Sequence, residues 1–303
     1  MPLYKNINGQ LEKIRIDKFK LEKEIQEITE NNLEEMLGLE LVRSEFPLGQ
    51  FRIDTLAFDR DSNAFVIIEY KRDKNYSVID QGYSYLSLML NNKADFILEY
   101  NENRSMPMKR SDVDWSQSRV IFISPSFTTY QREAINFKDL PIELWEIGRY
   151  QGNIISFTKI DTGKAIESIK SISKQNKTIK DVSDEIEVYD EESHLSQVND
   201  EIKELYERYR EALLSFDCME IKPKKKYISF VKEKSNIVDF VLQKKAIKIF
   251  INLPKGKLED LRGISRDVSN IGHWGNGDYE ITVKDEKNFE YILSLIRQSY
   301  DAR

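Results

Sequence analysis

Between Phe51 and Tyr85 the chain reads FRIDTLAFDRDSNAFVIIEYKRDKNYSVIDQGYSY, and this stretch restricts the fold more than any other. Two strand-like runs, 51–58 and 64–71, flank the turn-prone cluster Asp59-Arg60-Asp61-Ser62-Asn63 and predict a β-hairpin. A turn centred between Asp61 and Ser62 sets Asp54 opposite Glu69. Directly opposed side chains have Cβ atoms roughly 5 Å apart, and like charges there destabilise a sheet. Lys71, two residues past Glu69, falls on the same face. Two carboxylates and an ammonium are therefore expected together where a hydrophobic strand ends. A hard divalent cation takes carboxylate oxygens and would turn that repulsion into binding energy.

Charged residues make up 32% of the chain, so Glu-x-Lys by itself means little; on an exposed strand it is a weak ion pair. Its surroundings carry the weight. Phe65-Val66-Ile67-Ile68 is apolar on both faces, the pattern of a covered central strand, and ionisable groups where such a strand emerges need a reason. Downstream, Ser77 and Asp80 read as the capping box of a helix running to about Leu90. Four residues apart on that helix, Gln81 and Tyr85 share a face.

Asp54, then Glu69-x-Lys71, then Gln81-x-x-x-Tyr85 resembles the PD-(D/E)xK nuclease superfamily, in its RecB-like and NucS-like branches, over roughly residues 10–157. Ile53 stands where the family name has proline. The resemblance implies a restriction-endonuclease-like α/β fold, a mixed sheet flanked by helices, and a nuclease that uses Mg²⁺ or Mn²⁺ on DNA. Asp54, Glu69 and the backbone carbonyl of Tyr70 would hold the metal, and Lys71 would serve the attacking water or the phosphate. Gln81 and Tyr85 would position the site; their plainer role is helix-to-sheet packing. A carboxylate from the preceding helix often completes such sites; Glu22 fits the family spacing best, and Glu24 competes because it also borders the stripe of Leu21, Ile25 and Ile28. The alternative is a catalytically silent nucleic-acid-binding or adaptor protein with a nuclease fold.

A net charge of −6 argues against a polycation that coats nucleic acid, so phosphate contacts must come from local clusters. Arg72 and Lys74 beside the hairpin, with Arg52 leading into Asp54, are the best candidates, and Lys222, Lys224, Lys225 and Lys226 form a second group. No apolar run reaches the roughly 18 residues of a membrane span, and the single cysteine, Cys218, suits a reducing cytoplasm.

At 303 residues, two domains are expected: a nuclease-like domain over 1–158 and a smaller α+β domain over 199–303, joined by a mostly mobile linker over 159–198. The linker reading rests on SIKSISKQNKTIK followed by acidic DVSDEIEVYDEES, and leaves His194 solvated. Within the first domain, one helix is expected from about Lys20 to Leu37 and a strand over Asp95–Glu99. The last segment, with YISF, VDFVLQ and IKIFIN strands, Asp267-Val268-Ser269 and a turn at Gly272-His273-Trp274-Gly275-Asn276-Gly277, resembles the DUF5655 domain. His273 lacks a nearby His or Cys partner, which favours a structural turn. A homodimer or a protein partner through this domain stays open.

Overall fold

A computed structural model describes residues 2–72, 77–104, 107–137, 139–161, 167–171, 176–272 and 275–303. The chain divides into two compact units, Met1–Val188 and Tyr189–Arg303.

In the first unit a small hairpin, β1 (Tyr4–Ile7) and β2 (Gln10–Lys13), precedes β3 (Ile16–Asp17), α1 (Glu22–Asn31) and α2 (Leu33–Leu37). Next come β4 (Glu40–Leu48), β5 (Phe51–Asp59), β6 (Ala64–Tyr70), α3 (Val78–Asn91) and α4 (Lys93–Asn103). The unit continues through β7 (Arg119–Ser124), α5 (Thr129–Ala134), β8 (Ile142–Tyr150), β9 (Ile154–Lys159) and α6 (Lys177–Glu185). The described strands build a seven-stranded sheet in the order β3-β8-β7-β6-β5-β4, with β9 on β8. β6, β7 and β8 run parallel to one another and the other pairs are antiparallel, so this is the expected mixed α/β sheet.

β6 is buried along its whole length because both sheet faces are covered. Phe65 and Ile67 face a core shared with Val78, Leu86 and Phe96 of α3 and α4. Val66, Ile68 and Tyr70 face the opposite core, with Ile25 of α1. Side chains alternate across a strand, so Glu69 takes the α3 face and Tyr70 the α1 face. Gly82 lets α3 come close, since a Cβ there would meet Ile142 Cδ1 at 2.5 Å.

Three expectations for this unit are corrected. The helix over Lys20–Leu37 is two helices, broken at Asn32 with φ −130° and ψ 24°. Asp95–Glu99 is the middle of α4 rather than a strand, because Phe96, Ile97 and Tyr100 share a helical face. Phe96 packs edge-on against Phe46 and Phe65, with ring centroids 5.2 and 5.6 Å apart. The third concerns the linker: within 159–198, Lys177–Glu185 forms α6, capped where Asn176 accepts from the Thr178 and Ile179 N–H groups. Ile179, Val182 and Ile186, sparse but at helical spacing, enter the core beside α3. Residues 162–166 and 172–175 of that stretch lie outside the described residues.

The second unit starts earlier than residue 199. α7 (Glu191–Leu195) is followed by α8 (Asp200–Leu214), then β10 (Met219–Pro223), β11 (Ile228–Lys232), β12 (Ser235–Gln243) and β13 (Ala246–Ile251). β14 (Arg266–Asp267), β15 (Tyr279–Val283) and α9 (Phe289–Asp301) complete it. Its described strands form an antiparallel sheet in the order β10-β11-β12-β13-β15-β14, with α8 and α9 packed on one face around Tyr206, Tyr209, Phe240 and Leu295. Glu191 of α7 accepts from Tyr206 Oη at 2.6 Å and Arg210 Nε at 2.8 Å. His194, expected in solvent, is buried: a ring nitrogen lies 2.7 Å from the Lys224 carbonyl, and burial holds the imidazole below its usual pKa. On the other face, Gly275 and Gly277 press onto β13, where a Cβ on Gly277 would collide with the Ile251 carbonyl. That approach aims the Asn276 N–H at the buried Asp239 carboxylate, 2.7 Å away. His273 and Trp274 lie outside the described residues.

Candidate active site

β5 and β6 pair from Asp59 opposite Ala64 up to Thr55 opposite Ile68, and one step beyond stand Asp54 and Glu69. There side chains take the backbone partners. The Asp54 N–H donates to Glu69 Oε1 at 3.2 Å, and the Tyr70 N–H donates to Asp54 Oδ2 at 3.1 Å. Each carboxylate is thus pinned to the other strand's backbone. Lys71 Nζ sits 3.2 Å from Glu69 Oε2, and its N–H binds the Ile123 carbonyl of β7 at 2.9 Å. From α3, Gln81 Nε2 donates to Tyr85 Oη at 3.4 Å. Burial, then the nearby Glu69 carboxylate, push the Tyr85 phenol above its usual pKa. The structure therefore brings Asp54, Glu69, Lys71, Gln81 and Tyr85 into one cluster.

The electrostatics of the pair follow from its burial. Only 2% of Glu69 is exposed. Burial, then the Asp54 charge, raise its pKa from 4.5 to about 7, against the opposing pull of Lys71. Asp54 also titrates above its ordinary value, first through burial, although the Tyr70 N–H and Lys71 favour its charged form. Glu45 of β4 adds to that upward push. It holds a positive φ of 53° beside Arg52, whose Nε lies 2.7 Å away. Sequence reading missed Glu45, because only the β4–β5 register reveals its place beside Asp54.

A second set of residues lies on the α1 face, of which only Tyr70, through its backbone carbonyl, was expected at the site. Gln26 is buried and its Nε2 donates to the Asp54 carbonyl at 3.0 Å and to Glu30 Oε1 at 2.9 Å. Thr55 Oγ1 bonds Glu30 and stands 3.1 Å from Tyr70 Oη. Gln26, Glu30, Thr55 and Tyr70 thereby tie together the two backbone segments that carry the carboxylates. A glutamine inside the apolar stripe of α1, four residues before a glutamate, was the available signal.

Of the two helix carboxylates, Glu24 is committed elsewhere. Its Oε1 accepts from the Lys20 and Leu21 N–H groups at 3.0 and 3.2 Å, and its Oε2 meets Arg149 Nη1 at 2.7 Å. Glu22 accepts from the Arg72 N–H at 2.8 Å, just past the end of β6. The Arg72 guanidinium binds the Lys20 carbonyl at 2.6 Å. Lys74 lies outside the described residues. Among the described residues no group of three or more His, Cys, Asp and Glu side chains is arranged to hold a metal. A cation here would be held by Asp54 and Glu69, with backbone carbonyl and water completing its shell. The donor set fits a hard divalent ion: two carboxylates crowded together, one of them buried and held well above its ordinary pKa. No helix among the described residues is long and apolar enough to cross a membrane.

Over 300 residues the chain is 51% identical to an uncharacterized protein of Haemophilus influenzae, the alignment covering 99% of both. Residues 191–303 match DUF5655, a domain of unknown function. Among solved structures it is similar to an EndoMS–dsDNA2 complex, with 20% identity over 37% of this chain and 40% of that one, at a TM-score of 0.25. A repair endonuclease from Pyrococcus abyssi gives 20% identity over 38% and 42%, at 0.22. Pyrococcus furiosus SfsA in complex with Ca²⁺ gives 13% over 50% and 77%, at 0.25. The chain thus spans less than half the length of the first two. The chemistry of the site rests on its own side chains.

Proposed function

This chain belongs to the same family as the uncharacterized Haemophilus influenzae protein, and from the site it carries we propose that it is a metal-dependent nuclease hydrolysing phosphodiester bonds in DNA. One observation carries the reading. A buried carboxylate, Glu69, and a half-buried one, Asp54, face each other where a central strand ends, and burial with the Asp54 charge raises Glu69 to about 7, with Lys71 3.2 Å away. Lys71 offsets only one of the two negative charges, and a bound divalent cation would offset the rest.

Asp54 and Glu69, with the Tyr70 carbonyl beside them, are the residues that would hold Mg²⁺ or Mn²⁺. When bound, such an ion lowers the pKa of coordinated water and offsets charge on the scissile phosphate. Lys71 supplies the fixed ammonium: it orients the attacking water and stabilises charge that builds on the phosphate oxygens. Gln81 and Tyr85 frame the α3 side of the cluster, their hydrogen bond holding the phenol in place against Glu69. Gln26 fixes the Asp54 carbonyl from the opposite side of the sheet, which keeps that carboxylate in line with Glu69. Arg52 and Arg72 lie at the rim as phosphate contacts. The C-terminal unit adds substrate or partner binding through its local basic cluster, Lys222, Lys224, Lys225 and Lys226.

A cleavage panel of labelled linear, circular, single-stranded and branched DNA, with Mg²⁺ or Mn²⁺ and with chelator, tests the reading. Metal-dependent cleavage of at least one substrate is expected. Cleavage of none, or cleavage that survives chelation, refutes it.

A further inference from the structure

Between β13 and β14 the residues Asp260-Leu261-Arg262-Gly263 make a tight turn, in which the Gly263 N–H donates to the Asp260 carbonyl at 3.1 Å and Gly263 takes a φ of 60°. The turn is pinned on both sides. Asp260 Oδ2 accepts from the Ser265 N–H and hydroxyl, both at 2.7 Å, and its Oδ1 accepts from Tyr291 Oη of α9 at 2.8 Å. Tyr291 Oη in turn accepts from the Arg262 N–H at 3.0 Å. Leu261 therefore stands at the corner of a rigid mount, 95% exposed, the most open large apolar side chain among the described residues. A single leucine in water is ordinary. Its neighbourhood is not.

Arg262 lines a cleft of about 360 Å³ at the first turn of α9. Two arginines lie there on aromatic rings: the Arg208 guanidinium is 4.9 Å from the centre of the Phe289 ring, and that of Arg262 is 4.2 Å from the centre of Tyr291. Arg208 is paired with Glu286. The other two charges on the cleft are left over. Among the described residues, Arg262 bonds the Asn288 side chain at 3.0 Å but meets no carboxylate, and Glu290 makes no ion pair, acting on Arg208 only through its field. With two cations and two carboxylates, the cleft is no host for a polyanion, which would meet Glu286 and Glu290. What it matches is itself. An isologous two-fold contact sets the same patch on both sides, so the patch must carry its own complement. We propose that a second copy of this chain docks here, each Leu261 entering the other copy's cleft against Phe289 and Tyr291, and each Arg262 pairing with the other copy's Glu290. The pinned turn has little freedom to lose on association, and arginine and tyrosine are the side chains that anchor protein interfaces.

Sedimentation equilibrium of the full chain, across the micromolar range, reads the association directly and needs no nucleic acid. Wild type should be a dimer. Burying a leucine is worth roughly 10-fold or more in affinity and the two-fold axis buries two, so Leu261→Ser should raise the dimer dissociation constant by about 100-fold or more. Its exposure leaves the fold unchanged by that substitution. Arg262→Glu and Glu290→Arg should each be monomeric alone, because like charges then face each other twice across the axis. Mixed in equal amounts, the two variants should form a dimer again, since both contacts of the mixed pair join opposite charges; a variant that had merely lost its fold would gain nothing from mixing. A wild type that stays monomeric throughout overturns the proposal. So does a dimer that Leu261→Ser or either charge variant leaves as tight as wild type, and so do charge variants that remain monomeric when mixed.

Discussion

Glu69 makes the protein's stability depend on pH in an unusual direction. Its pKa is 4.5 in an ordinary setting and about 7 in the fold. Between those values the folded chain keeps a proton that the unfolded chain has lost. The resulting stability is fully present below about pH 4.5 and disappears as pH rises through 7. At about 1.4 kcal/mol per pH unit this gap corresponds to roughly 3 kcal/mol, lost between pH 5 and 8 in the absence of metal. Asp54 shifts in the same direction, first through burial. Glu143, held down to about 2 by Lys159 and Arg119 despite its burial, titrates below this window. His194 acts with the opposite sign, since a depressed imidazole loses stability as pH falls, so the comparison must be made between variants. Glu69→Gln removes the titration and keeps an acceptor for the Asp54 N–H, at the expense of the Lys71 pair. Full-length wild type and variant should be melted in chelator from pH 5 to 8. Wild type should lose about 5–10 °C relative to the variant across that range, and saturating Mn²⁺ should erase the loss. Parallel curves would refute the buried, charge-strained pair.

Three further outcomes follow from named contacts. Lys71→Ala should lower kcat by about 10²–10³ yet still bind Mn²⁺ in a calorimetric titration; wild-type turnover would leave the Glu69–Lys71 contact a plain ion pair. Gln26→Ala should weaken Mn²⁺ affinity by about 10-fold or more, because the Asp54 carbonyl loses its anchor; unchanged affinity would confine Gln26 to packing. A chain ending at Val188 should fold and keep metal-dependent cleavage with a shallower salt dependence of DNA binding, whereas one ending at Thr158 should melt much lower. The latter exposes the core surface that Ile179, Val182 and Ile186 cover, worth about 1.5–3 kcal/mol for each side chain. Equal melting of the two truncations would contradict the place of α6 in the core.

Much of the site was legible because its geometry is local. A short turn fixes a hairpin register, and that register alone sets Asp54 against Glu69 and puts Lys71 beside them. Gln81 and Tyr85 needed only the helical period and the Ser77 cap. Glu45 and Gln26 were hidden because their roles depend on which strand and helix lie next to Asp54 in space. α4 misled because FIL, read in isolation, serves a strand as well as a helix; only Tyr100 one turn on discriminates, and Leu98 is left exposed. α6 and His194 were obscured by composition. A strongly polar, charged stretch still buries a few side chains when their spacing is helical and a neighbouring element offers apolar surface.

The most direct measurement compares wild type with Asp54→Asn, both verified as folded, on one labelled DNA substrate in Mn²⁺. The substitution keeps the size of the side chain and an acceptor for the Tyr70 N–H but removes the charge that opposes Glu69. Wild type is expected to cleave, and to stop on chelation, while the variant is inert and melts at the same temperature or higher without metal. Cleavage by Asp54→Asn at the wild-type rate would contradict the account at its centre.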